Sequence, residues 1–169
     1  MKSNDTHNIN ICKPELLAFD FDGVLTNNKV LVSSDGKETV ICSRADGLAF
    51  DYLNAIRFPT YVVSTERNKV VRERCKKLGI TVFNAVENKL STIKEISKLE
   101  NIPIEKFLFI GNDLNDYEVM NACGLSACPA DSHPKIKAIS DYILKSKGGE
   151  GVARELLEDL LKFDLLKKS

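Results

Sequence analysis

A chain of 169 residues, 43% hydrophobic and 28% charged, is long enough to bury a real core and has the composition of a soluble globular protein. Its 24 basic and 24 acidic side chains cancel, which excludes a global pull toward nucleic acid or an anionic membrane and leaves any anion site to be made locally. Five cysteines, odd in number and without a CxxC pair, read as reduced thiols, and no apolar run suits a secretion signal or a membrane span, so the expected location is cytoplasmic.

Residues 1–13 are polar and read as a flexible N-terminal tail, with a single domain over 14–169. The apolar run 16–21 predicts a buried strand. Residues 30–33 and 39–42 flank Ser34-Asp35-Gly36-Lys37, a hairpin signal. The spacing of Leu48, Ala49, Tyr52, Leu53 and Ile56 predicts a helix over 45–56. A strand at 60–63, a helix at 69–78 closed by Gly79, a strand at 80–83 and a helix at 89–99 follow. Beyond Pro103 come a strand at 107–110, a short helix at 116–122 and a strand at 125–128. A short helix opened by Pro134, a strand at 142–144 and an amphipathic helix at 152–163 complete the chain. Strand alternating with helix predicts an α/β, Rossmann-like doubly wound parallel sheet, with a β-hairpin projecting after the first strand.

Four strand ends carry chemistry. Asp20 and Asp22 close the first strand, one residue apart, so their carboxylates point the same way. One can attack phosphorus while the other protonates a leaving oxygen, and magnesium favours such oxygen donors together with phosphate. An Asp-Gly turn that simply closes a strand is the plainer alternative. Ser64 ends the 60–63 strand, where its hydroxyl can hold a phosphate oxygen or cap the next helix. Lys89 opens a helix, where a cation opposes the helix dipole, which fits a lysine that neutralises a phosphoryl group. Gly111-Asn112-Asp113-Leu114-Asn115-Asp116 follows the 107–110 strand, and Asp113 and Asp116 can ligate or orient a metal, or cap a helix. In a doubly wound sheet such strand ends converge on one crevice. Gly148-Gly149 could cradle an anion or serve as a flexible lead-in to the last helix.

The order DxDGVxT, strand-end Ser, Lys and GNDxND resembles the four motifs of the haloacid dehalogenase superfamily of aspartate-nucleophile phosphatases. Within it the chain resembles the small branch without a cap domain that dephosphorylates 3-deoxy-2-keto sugar acids. That branch includes the phosphatase-like domain attached to some acylneuraminate cytidylyltransferases. The resemblance implies Asp20 as the nucleophile, Asp22 as acid and then base, and Ser64 and Lys89 as ligands of the phosphoryl oxygens. It implies Mg2+ on the Asp20 carboxylate, the Asp22 backbone carbonyl and position 112, with Asp113 or Asp116 taking more of the charge balance. Here position 112 is Asn112 where an aspartate is usual, which implies weaker metal binding; Ser64 stands where threonine is common.

For the sugar-acid part, the same resemblance implies Thr65, Glu66, Arg74, Lys77, Arg44 and Arg154 as candidates, with Lys77 holding the charge of Glu66. The Ser-x-Glu pattern at Ser64 and Glu66 leans toward a nine-carbon, sialic-acid-like ulosonate phosphate, with an eight-carbon octulosonate phosphate as the alternative. The branch also implies a homotetramer in which a neighbour's hairpin covers the site. A cytidylyltransferase partner, and a weakly active oligomerisation module associated with it, belong to the same expectation.

Overall fold

The computed structural model describes residues 13–167, so the expected tail lies almost wholly outside the described residues. Six parallel strands form one sheet in the order β5-β4-β1-β6-β7-β8. They are β1 (Leu16–Phe19), β4 (Thr60–Val63), β5 (Thr81–Phe83), β6 (Phe107–Ile110), β7 (Leu125–Cys128) and β8 (Tyr142–Ile143). β2 (Thr26–Val32) and β3 (Glu38–Cys42) pair only with each other, antiparallel, as the expected hairpin.

The sheet's central strands are apolar on both faces because both faces are covered. Leu17 and Phe19 of β1 point to one side, where they meet Ala49, Phe50 and Leu53 of α1 (Ala45–Ala55) and Val71 and Cys75 of α2 (Val70–Leu78). Leu16 and Ala18 point to the other. There they meet Ile93 and Ile96 of α3 (Lys89–Glu100), Val119 of α4 (Tyr117–Ala122) and Ile136 of α5 (Pro134–Ile139). Each fully buried Leu, Ile or Phe contributes about 1.5–3 kcal/mol by leaving water. The strands that run outward from β1 change direction between β1 and β6. The helices after those two neighbours lie on opposite faces, which opens the crevice between them at the strands' carboxyl ends.

Three expectations need correction. β1 stops at Phe19 rather than 21. The chain turns there because the Phe21 carbonyl accepts the N–H groups of Val24, Leu25 and Thr26, at 3.4, 2.9 and 3.2 Å. Leu48, placed on the inner face of its helix by spacing alone, is 53% exposed beside the buried Ala49. The helix expected over 152–163 is α-helical only in α6 (Val152–Glu155), and residues Leu156–Leu160 widen into a π turn. That widening brings Leu156 and Leu157 wholly into the core, and the Leu161 N–H then reaches the Leu156 carbonyl at 2.9 Å. No helix among the described residues is long and apolar enough to cross a membrane.

Candidate active site

The turn after β1 is built around Thr26. Its hydroxyl accepts the Gly23 N–H at 3.1 Å and the Asn28 N–H at 3.2 Å, and donates to Asp22 Oδ1 at 3.3 Å. Gly23 is required there twice over. Its φ is +80°, and a Cβ would fall 2.0 Å from Asn112 Nδ2. From behind, the segment at Gly148 and Gly149 presses on the same turn. A Cβ on Gly148 would lie 2.2 Å from the Gly23 carbonyl oxygen, and the Gly149 N–H donates to the Val24 carbonyl at 3.0 Å. The two glycines therefore neither cradle an anion nor form a loose lead-in; they permit close packing against the catalytic turn.

The crevice floor is an ionic cluster. Lys89, at the start of α3 and only 3% exposed, places Nζ 2.7 Å from Asp20 Oδ1 and 2.6 Å from Asp116 Oδ1. The other Asp116 oxygen accepts the N–H groups of Asn112 at 2.9 Å and Asp113 at 3.3 Å, so both its oxygens are used. Asp113 is exposed and caps the 3₁₀ turn that precedes α4, accepting the Leu114 N–H at 2.7 Å. Burial pushes the Asp20 carboxyl up to about 7, the Asp116 carboxylate adds to that, and the Lys89 ammonium opposes it. Burial alone would lower Lys89, but the carboxylates of Asp20 and Asp116 outweigh it and raise it, so it stays an ammonium. Burial also raises Asp22, which favours its protonated form.

One ammonium against two carboxylates leaves this floor net negative, which favours a further cation. A donor set for one is at hand. With the Asn112 amide oxygen turned inward, Oδ1 sits 2.8 Å from the Asp22 carbonyl oxygen and 3.2 Å from Asp20 Oδ2. Three oxygen donors close together, a carboxylate, a carbonyl and an amide, are the kind Mg2+ takes, so these residues suit that ion. With the amide reversed, its nitrogen donates to the same two oxygens. Asp116 has both oxygens engaged by Lys89 and the backbone, whereas Asp113 lines the same cavity as Asp20 and Asn112 with one oxygen on the Leu114 N–H.

Ser64 is 2% exposed at the end of β4, and its Oγ accepts the Glu66 N–H at 3.1 Å. It is not the cap of α2; Asn68 serves there by accepting the Val70 N–H at 3.0 Å. Asp20, Asp22, Ser64, Thr65 and Asn112 line a polar cavity of about 110 Å³. Glu66 lines a second cavity of about 250 Å³ against the hairpin, together with Asp22, Lys29 and Glu38. Its carboxylate accepts the N–H groups of Arg67 and Asn68 at 2.6 and 2.7 Å.

The remaining candidates lie elsewhere. Lys77 is exposed in the last turn of α2 and makes no ion pair with Glu66. Arg74 donates to the Ser43 carbonyl at 2.8 Å and braces α2 against the loop after β3. Arg44 is exposed ahead of α1, and Arg154 pairs with Glu158 one helical turn on, at 3.1 Å. Thr26 and Asn28, which shape the turn and the cavities, had no role in the sequence reading. The available signal was a threonine four residues after a strand-end acid, within a turn too tight to leave its hydroxyl idle.

Comparison with known proteins shows the family of this fold. The sequence pattern of the haloacid dehalogenase-like hydrolases matches residues 60–156. The 3-deoxy-D-manno-octulosonate 8-phosphate phosphatase of Escherichia coli K12 is 31% identical over 147 residues, 86% of this chain and 78% of that protein. Among solved structures, a haloacid dehalogenase-family hydrolase from Streptomyces avermitilis superposes with a TM-score of 0.87 at 31% identity, covering 90% of this chain and 94% of that one. The Moraxella catarrhalis octulosonate phosphatase, solved with magnesium, phosphate and its sugar acid, gives a TM-score of 0.83 at 29% identity, covering 88% and 86%. The chain belongs to the haloacid dehalogenase-like hydrolases and is a phosphatase of that family.

Proposed function

We propose that this protein is a Mg2+-dependent phosphomonoesterase that hydrolyses the phosphate ester of a 3-deoxy-2-ulosonic acid through an aspartyl-phosphate on Asp20. The observation that carries this reading is the buried Lys89 ammonium shared by Asp20 and Asp116 at the foot of a polar crevice. An ammonium there opposes the upward push of burial on the Asp20 carboxyl, favouring its anionic form, and neutralises charge that develops on the phosphoryl group. The Asp20 carboxylate attacks phosphorus, and the ester oxygen leaves with the proton of Asp22. Asp22, now a carboxylate, takes a proton from the water that cleaves the acyl phosphate. Ser64 Oγ donates to a phosphoryl oxygen. Asp20, the Asp22 carbonyl and Asn112 would hold Mg2+, which would add to the neutralisation of the phosphoryl oxygens.

The nine-carbon acid is the preferred substrate in this reading, because Glu66 offers a carboxylate to sugar hydroxyls in the cavity beside the site. The eight-carbon acid is the second reading, supported by the similarity to the octulosonate 8-phosphate phosphatase of Escherichia coli. Turnover of the two phosphates, with Asp20→Asn as control, tests both. Release of phosphate from neither ester by the wild-type protein overturns the proposal, and a clear octulosonate preference selects the second reading. The unpaired hairpin, with Val30, Leu31, Val32 and Ile41 exposed, supports the further proposal of a homotetramer whose hairpins cover neighbouring sites. Sedimentation of the wild type and of Leu31→Glu checks it: a tetramer that the substitution dissociates is expected, and a monomeric wild type refutes it.

A further inference from the structure

Two cavities meet at the crevice, and among the residues that line them only Asp22 and Asn28 border both. One is the 110 Å³ cavity of Asp20 and Ser64, where the phosphoryl group belongs. The other is the 250 Å³ cavity under the hairpin, open to whatever carries that group. An ester being cleaved must span the boundary, because its phosphorus faces Asp20 and its organic part has to lie outside. Asp22 is at the boundary because it protonates the bridging oxygen. Asn28 shares that boundary.

The backbone at Asn28 has φ +59°, a left-handed conformation that is uncommon outside glycine and that clusters at functional positions. Its N–H is fixed by Thr26 Oγ1, the same hydroxyl that donates to Asp22, so acid and amide are registered to each other. Its side-chain amide makes no hydrogen bond among the described residues and is exposed to the crevice. A carboxamide both donates and accepts, as a hydroxyl does. A carboxylate on the substrate would instead meet Asp22, Glu38 and Glu66, which outnumber Lys29, the one cation lining the same cavity.

We propose that Asn28 is a specificity-determining residue, whose amide binds the hydroxyl on the carbon next to the ester carbon, selecting phosphates of polyol ends. The inference rests on the phosphatase reading above.

The test uses two esters that differ by one hydroxyl, glycerol 3-phosphate and 3-hydroxypropyl phosphate, with Asn28→Ala and Asn28→Gly. The glycine variant keeps the left-handed turn without strain, so a misfolded alanine variant leaves the question answerable. The expected result is about a tenfold preference of the wild type for glycerol 3-phosphate, the worth of one hydrogen bond. Both variants should lose that preference in kcat/KM, while 3-hydroxypropyl phosphate changes by less than about twofold. Equal losses on both esters would show that position 28 acts only through Thr26 and Asp22, and an unchanged preference would show no contact; either overturns the inference. If the wild type turns over neither ester while it releases phosphate from a sugar-acid phosphate, the inference is overturned and the phosphatase reading stands; if it releases phosphate from none of them, it is the phosphatase reading that fails.

Discussion

Asp20 and Asp46 are both buried aspartates, and burial pushes both carboxyls up, to about 7 and about 6. Their surroundings differ in kind. Asp20 faces the Lys89 ammonium in a crevice that needs charge. Asp46, in the first turn of α1, is held chiefly by backbone dipoles, with the Arg74 charge a lesser influence. Its Oδ1 accepts the Ala153 N–H at 2.8 Å and the Arg154 N–H at 3.3 Å, capping α6, and its Oδ2 has no partner among the described residues. A countercharge keeps an anion ready for chemistry at a cost in stability, because desolvating both ions offsets much of their attraction. A helix end holds a carboxyl by geometry and tolerates its neutral form. The first arrangement suits the catalytic role proposed for Asp20, and the second holds α6 in place.

The comparison can be broken most sharply at Asp20. Asp20→Asn should lower phosphate release by at least about a thousandfold while the protein stays folded, since the nucleophile is lost and no charge is left unpaired. Retained activity in a phosphate-release assay would remove Asp20 from the chemistry. Lys89→Ala should do both kinds of damage. It strands two buried carboxylates, so chemical denaturation should show a loss of about 3–5 kcal/mol together with loss of turnover.

At Asp46 the expected effects are smaller and concern stability alone. Asp46→Ala removes the cap of α6 and should cost about 1–2 kcal/mol in urea unfolding. Asp46→Asn keeps an acceptor and exposes the pH linkage. The carboxyl is raised from its ordinary 3.8 to about 6 in the folded protein, so folding favours the protonated form. Stability from this group is fully present below pH 3.8, falls as pH rises toward 6 and is level above that. Asp46→Asn should flatten that part of the Tm profile; a profile unchanged by the substitution would remove Asp46 as its cause.

A milder change at the crevice sharpens the same contrast. Asn112→Asp adds a charge to the donor set and should tighten Mg2+ binding about tenfold by calorimetry, the scale of one carboxylate. It should also lower the Tm in chelator, because a carboxylate cannot donate to Asp20 Oδ2 and the Asp22 carbonyl as the Asn112 amide can. Equal affinity of the two proteins would show that position 112 does not touch the ion. The smallest effect is expected at Arg154→Ala, whose exposed pair with Glu158 should leave Tm and turnover unchanged.

The sheet was legible because its signals are local. Alternating apolar runs end at Asp20, Ser64 and Asn112, and a lysine opening a helix against its dipole marks Lys89. What stayed illegible depends on contacts between distant parts of the chain. The bond between Asp46 and Ala153 joins residues 107 apart, and no spacing rule reports it. Leu48 followed the helical period yet faces outward, because the flanking elements decide how wide the buried stripe becomes. Lys77 had the right charge, but its place on α2 leaves it outside the crevice. Asp116 could be read as ligand or cap. Its buried bond to Lys89 and its two accepted backbone N–H groups show a carboxylate that organises the loop instead.

The contact of Gly148 and Gly149 with the turn at Gly23 has a consequence for how the enzyme comes into being. The nucleophile and the acid lie near the start of the sequence, but the segment that presses their turn into shape arrives near the end. Closing so long a loop is entropically costly and is repaid only once both sides are built. Catalytic competence should therefore appear late in folding, after the sheet. A newly synthesised chain that has formed β1 to β7 would carry every catalytic side chain and still be inactive.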